Sequence, residues 1–107
     1  MIRIVYHRKY HRVTVEGHAQ SGEIGHDLVC AAVSALAYTL GAAIANMEAA
    51  GQVRNAVADL KIGHAELACK APHRLDATVT LVFDTVCNGF ALIAGKYRDN
   101  VSFETRE

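Results

Sequence analysis

The chain has no tryptophan and only one proline and three cysteines in its 107 residues. Three cysteines cannot all pair with one another, so a disulfide framework is not the organising device. Met1-Ile2-Arg3-Ile4 starts directly as a strand with no signal peptide before it. The expectation is a reducing cytoplasm, with any thiol chemistry catalytic and not structural. An excess of charge is also missing, because eleven Lys and Arg balance eleven Asp and Glu. No basic footprint for phosphates is supplied, and direct contact with nucleic acid is not expected. Repeats, linkers and low-complexity tracts are absent. With 51% apolar residues, the chain reads as a single globular domain over 1–107, large enough for one core and not for two.

Gly17 to Leu36, GHAQSGEIGHDLVCAAVSAL, organises the rest. His18 and Cys30 lie twelve positions apart, and Asp27 stands three residues before Cys30. Asp before an apolar periodic run marks a helix start. With Asp27 as N-cap, Leu28 is the first helical residue and Cys30 sits in the first turn. Backbone N–H groups there lack intrahelical partners, and the helix dipole favours negative charge. A thiol so placed becomes a thiolate more readily than a free cysteine. A histidine carried over it by the loop completes the ion pair of a cysteine nucleophile. Cys30 can equally be a small core residue.

Ile2, Ile4 and Tyr6 alternate with Arg3, Val5 and His7, and Val13 and Val15 with Arg12, Thr14 and Glu16. This predicts a β-hairpin. Strand parity puts His18 on the Thr14–Glu16 face, away from the core side, unless Gly17 breaks the strand. Gln20 to His26, with Gly22 and Gly25, is a loop that can serve as a lid or merely connect strand to helix. Leu28 to Met47 carries no charge and is long enough to cross a bilayer. Its alanines and its Ser34, Thr39, Gly41 and Asn46 favour a core helix buried on nearly all sides, and no membrane partner is expected. Such burial in so small a domain points to a homodimer. Val53 to Ile62 and Ala65 to Ala71 predict two strands turning at Gly63, ended by Pro72. Leu75, Val79, Val82, Val86, Phe90, Ile93 and Tyr97 predict a second long helix, interrupted by Gly89 where the alanine face of the first helix can pack closely. Val101 to Thr105 is a last strand. The order β-β-α-β-β-α-β implies an α+β two-layer sandwich, with a largely antiparallel sheet and two long helices on one face.

Cys69 and Cys87 fall on apolar positions and read as buried, unreactive thiols. His7, His11, His64 and His73 lie in or beside turns and read as solvated. His18, His26 and Cys30 lack a fourth ligand and any C-x-x-C spacing, so no metal and no cofactor is expected.

Gly17-His18-Ala19 and the run Gly25-His26-Asp27-Leu28-Val29-Cys30-Ala31-Ala32-Val33-Ser34-Ala35-Leu36 resemble the bacterial ribosomal-processing cysteine protease (Prp) family. The family pattern there is G-H-A, a loop, then G-x-D-[IL]-V-C-A-A-V-S. The loop Gln20 to Ile24 and His26 are less typical. The resemblance implies a cytoplasmic homodimeric cysteine endopeptidase. Its substrate would be the N-terminal tail of a large-subunit ribosomal protein, cut after a hydrophobic sequence. It places the nucleophile on Cys30 and the catalytic histidine on His18, with Asp27 and Ser34 at two further characteristic polar positions.

The expected mechanism is thiolate attack by Cys30, with His18 as proton acceptor and donor and helix-start N–H groups, Cys30's among them, as the oxyanion hole. Asp27 is a helix cap that can also orient His18. Ser34 can hydrogen-bond near the site or simply to the Cys30 carbonyl. Two rivals stay open. A non-enzymatic ribosome-assembly binding module needs no reactive thiol, and a metal- or redox-responsive thiol protein needs no peptide.

Overall fold

Period-two alternation and helical spacing translate into the expected element order in a computed structural model, which describes residues 1–17 and 26–107, and for His26 and Asp27 the backbone alone. The elements are β1 (Ile2–His7), β2 (Arg12–Glu16), α1 (His26–Ala49), β3 (Arg54–Lys61), β4 (His64–Lys70), α2 (Asp76–Lys96) and β5 (Val101–Arg106). The sheet runs β3-β4-β2-β1-β5. Its neighbours are antiparallel except β5, which lies parallel to β1 with Ile4 opposite Phe103. The result is the expected α+β fold, a sheet and two long helices in two layers.

One face of the sheet is the core. Ile2, Ile4, Tyr6, Val13, Val15, Ala65, Leu67 and Cys69 are buried, while Arg3, Arg12, Glu16 and Lys70 on the other parity are exposed. Val29, Val33, Ala37, Leu40 and Ile44 on α1, and Val79, Phe83, Val86, Cys87 and Phe90 on α2, close over it. By length and composition both helices could cross a membrane. Here each lays one apolar face on the sheet, as a core helix does.

Two expectations change. First, α1 is not buried on nearly all sides, since Leu28 is 65% and Tyr38 61% exposed. A two-layer fold covers a helix from the sheet side and from its neighbour only, so the outer face of α1 stays uncovered and uncharged. Second, His11 is not solvated. It closes the short turn Arg8–Tyr10 at φ 48°. This break in strand parity leaves the ring buried, with Nε2 2.8 Å from Thr80 Oγ1 on α2 and the ring centre 5.7 Å from that of Phe83.

Candidate active site

β2 ends at Glu16, and Gly17 follows at φ 95°. A Cβ at Gly17 would collide with the Met1 carbonyl oxygen, so glycine is required there. Its N–H donates to the Gly63 carbonyl at 2.9 Å. The strand therefore does break before His18. His18 itself and the loop from Gln20, with Gly22 and Gly25, lie outside the described residues, as do the side chains of His26 and Asp27.

The described part of the first helix runs from His26 to Ala49 and carries Asp27 and Leu28 ahead of Cys30. An acidic residue near the start of this helix suits the positive end of the helix dipole. Helical geometry then pairs the Cys30 N–H with the His26 carbonyl. The N–H groups left without intrahelical partners lie at or before Leu28. The N–H groups at the helix start are the expected oxyanion donors.

Cys30 is a free, half-buried thiol. It lines a cavity of about 330 Å³ between α1 and the β3–β4 turn. Ser34 and Tyr38, one and two turns further along the same helix face, line it too, and Leu60 and Ile62 of the hairpin face them. Thr39 and Thr85 each donate to the carbonyl four residues back at 2.7 Å. Ser34 makes no such bond among the described residues, so its hydroxyl remains available to the cavity. Sequence reasoning missed Tyr38 and Ile62. The spacing i, i+4, i+8 from Cys30 points to Tyr38. Ile62 is 99% exposed in the two-residue turn with Gly63 (φ 78°), and only the fold brings it to Cys30.

The remaining described side chains behave as bystanders. His64 borders the cavity, yet its Nδ1 is 2.6 Å from Glu16 Oε1, its cross-strand partner on the sheet face turned away from the helices. Burial pushes the Cys69 thiol up to about 11. Burial, and then the Asp84 carboxylate, push that of Cys87 up to about 12. Both are neutral core residues near pH 7. Among the described residues no group of three or more His, Cys, Asp or Glu could hold a metal ion.

A thiol that solvent can reach, at a helix start and over a cleft of side-chain size, is the arrangement a thiol-dependent hydrolase needs. The chain matches the family model for cysteine protease Prp over residues 1–102, and it belongs to that family. Among solved structures it is similar to the essential ribosomal processing protease Prp from S. aureus in complex with a substrate peptide. That pair is 22% identical over 98% of this chain and 97% of the other, with a TM-score of 0.71. The S. aureus Prp with a covalently linked product peptide gives 25% identity, 98% and 97% coverage and a TM-score of 0.70. SMU.848 from Streptococcus mutans gives 25% identity, 97% and 90% coverage and a TM-score of 0.69. Among the curated proteins no match was found.

Proposed function

We propose that this chain removes the short N-terminal extension of a large-subunit ribosomal protein, with Cys30 as nucleophile and His18 as proton acceptor and donor. The observation that carries the reading is Cys30 itself, half-buried at the start of α1 and lining a cavity walled by Leu60, Ile62 and Tyr38. The similar S. aureus protease is described as ribosomal processing, with a substrate peptide and with a covalently linked product peptide.

In this mechanism the Cys30 thiolate attacks the scissile carbonyl of an extended peptide. Backbone N–H groups at the helix start stabilise the oxyanion. His18 protonates the leaving amine as the C–N bond breaks, and a thioester remains on Cys30. His18 then takes a proton from water, the hydroxide displaces the thiolate, and the acid product leaves. Asp27 orients His18, and the Ser34 hydroxyl supplies a supporting hydrogen bond. The enzyme works in the cytoplasm as a homodimer, in which a second copy covers the uncharged outer face of α1.

The test is a panel of tail-extended ribosomal proteins incubated with wild-type chain and with Cys30→Ala, read by product mass. The expected result is one discrete N-terminal loss with wild type and none with the variant. The substitution removes one small half-buried group, so it should cost about 1 kcal/mol of stability or less. Cleavage by the variant near the wild-type rate would remove Cys30 from the mechanism. Sedimentation at micromolar concentration should show a dimer, and monomer alone would leave the outer face of α1 without its proposed cover.

A further inference from the structure

A groove of about 880 Å³, larger than the Cys30 cavity, lies away from Cys30. The Cys30 cavity takes Ile2, Val15, Leu60 and Ala65 from the four strands it meets, whereas this groove takes His7, Arg12, Arg54 and Lys70 from the same strands. The two lie at opposite ends of the sheet.

Arg54 and Lys70 sit directly opposite one another on β3 and β4, and neither has an acidic partner among the described residues. Like charges facing across a ladder destabilise it. Two other charge pairs on this open sheet face are matched, Arg12 with Glu66 and His64 with Glu16, while Asp59 stands opposite Glu66 on β3 and β4. Lys9 adds a third cation without an acidic partner among the described residues, 6.0 Å from the ring of Tyr10, which is 67% exposed. Asp76 is the acid left at the rim, 3.6 Å from His11 Nε2. His11 is 4% exposed, and its Nδ1 has no partner among the described residues. Among those residues the two non-glycine positions with positive φ, His11 and Asn55, both line this groove. Sparsely populated backbone at non-glycine residues persists where the surroundings impose it and gathers at binding sites.

We propose that this groove binds single-stranded RNA, with Lys9, Arg54 and Lys70 on phosphates and Tyr10 as a stacking surface for a base. Three unmatched cations beside an exposed aromatic ring are the recurring pattern for a single strand. The groove lacks the buried aromatic and aliphatic anchors that a docked peptide uses. The balanced net charge of the chain does not oppose this, since it reports a sum and not a location. RNA is also the polyanion surrounding a ribosomal substrate, a point that rests on the proposed function. The binding site would then hold the protease on its assembling target while Cys30 acts at the other end of the sheet.

The test uses the full chain and a fluorescein-labelled oligouridylate of about 12 nucleotides, titrated by anisotropy at several salt concentrations. Peptide hydrolysis is measured in parallel. The wild type should bind saturably, more weakly as salt rises. Arg54→Gln with Lys70→Gln removes a repulsive pair, so the melt should hold or rise while RNA affinity falls about tenfold or more. The log–log salt slope should become shallower by about 1.4, two contacts at about 0.7 each. Tyr10→Ala should weaken binding without changing that slope. Hydrolysis by the double variant should equal that of wild type. No saturable RNA binding by wild type, equal binding by the double variant, or tighter binding of a polyglutamate peptide than of the RNA would overturn the proposal. Failure of hydrolysis alone would count against the protease reading and leave the RNA result standing.

Discussion

Gly89 of α2 lies so close to Leu36 of α1 that a methyl group on Gly89 would stand 2.8 Å from Leu36 Cδ1 and 3.1 Å from Cδ2. This contact sets how near the second helix approaches the one that carries Cys30. Gly89→Ala gains about 1 kcal/mol of helix propensity and loses about 1–3 kcal/mol to overpacking. The net expectation is a loss of about 1 kcal/mol, read from urea unfolding. In a Leu36→Ala background the overpacking disappears, and the same substitution should become stabilising. A loss of the same size in both backgrounds would show that Leu36 is not the cause.

The three thiols should separate by reactivity. Cys69 and Cys87 are buried, with thiols held up at about 11 and about 12, while Cys30 is half-buried at the cavity. Iodoacetamide at about pH 7.5 should give one adduct per native chain, on Cys30, and three after denaturation. Peptide mapping by mass checks it, and modification of Cys87 as fast as Cys30 would contradict the packed core.

Asp84 should govern the acid limb of stability. It accepts from Tyr6 Oη at 2.7 Å and from Arg8 Nε and Nη2 at 3.1 and 3.0 Å. The Arg8 guanidinium first, and then the Tyr6 hydroxyl, hold its carboxyl below the usual carboxylate range against partial burial. A carboxyl lowered in the folded state contributes stability above its unfolded pKa of about 3.9 and loses it as pH falls through the folded value. With the side chain 34% exposed, screening limits the contribution to about 1 kcal/mol. Asp84→Asn should melt lower at neutral pH and show a flatter melt-against-pH curve below about pH 5. Parallel curves for both proteins would exclude Asp84 from the acid transition.

Asp27 separates two roles by magnitude. As an acid near the start of α1 it contributes about 0.3–1 kcal/mol through the helix dipole. As an orienter of His18 it acts on rate, and a thiolate–imidazolium pair formed before substrate arrives needs less of that help than a serine triad does. Asp27→Asn should stay folded within about 1 kcal/mol and lose roughly ten- to a hundredfold in kcat/KM, about 1.4–2.7 kcal/mol. A loss near four orders with an unchanged melt would make Asp27 a full triad member.

Much of this molecule was legible locally. Alternation in Ile2–His7 and Arg12–Glu16 marked the hairpin and its core face. Spacing along the uncharged stretch Leu28–Met47 and along Leu75–Tyr97 marked both helices, and the glycine at 89 marked a close helix approach, although its neighbour is Leu36 and not an alanine face. Cys69 and Cys87 read correctly as core thiols. These features depend on residues a few positions apart, whose spatial relation the backbone period alone dictates.

Other features have no local signal. Placing β5 beside β1, in parallel, joins segments almost a whole chain apart. The β2–β4 pairing, also non-local, brings the β3–β4 turn to the strand ends beside Cys30. Ile62 reaches the Cys30 cavity, and His11 the interior under α2, only through contacts across the fold. The charge count shows the same division. Eleven cations against eleven anions fixes the total, but only the β3–β4 register puts Arg54 opposite Lys70. The sequence alone determined the periods, the helix that carries Cys30 and the family motif. The tertiary structure decided which distant side chains share a surface, because long-range pairing is a property of the whole packed sheet and not of any segment within it.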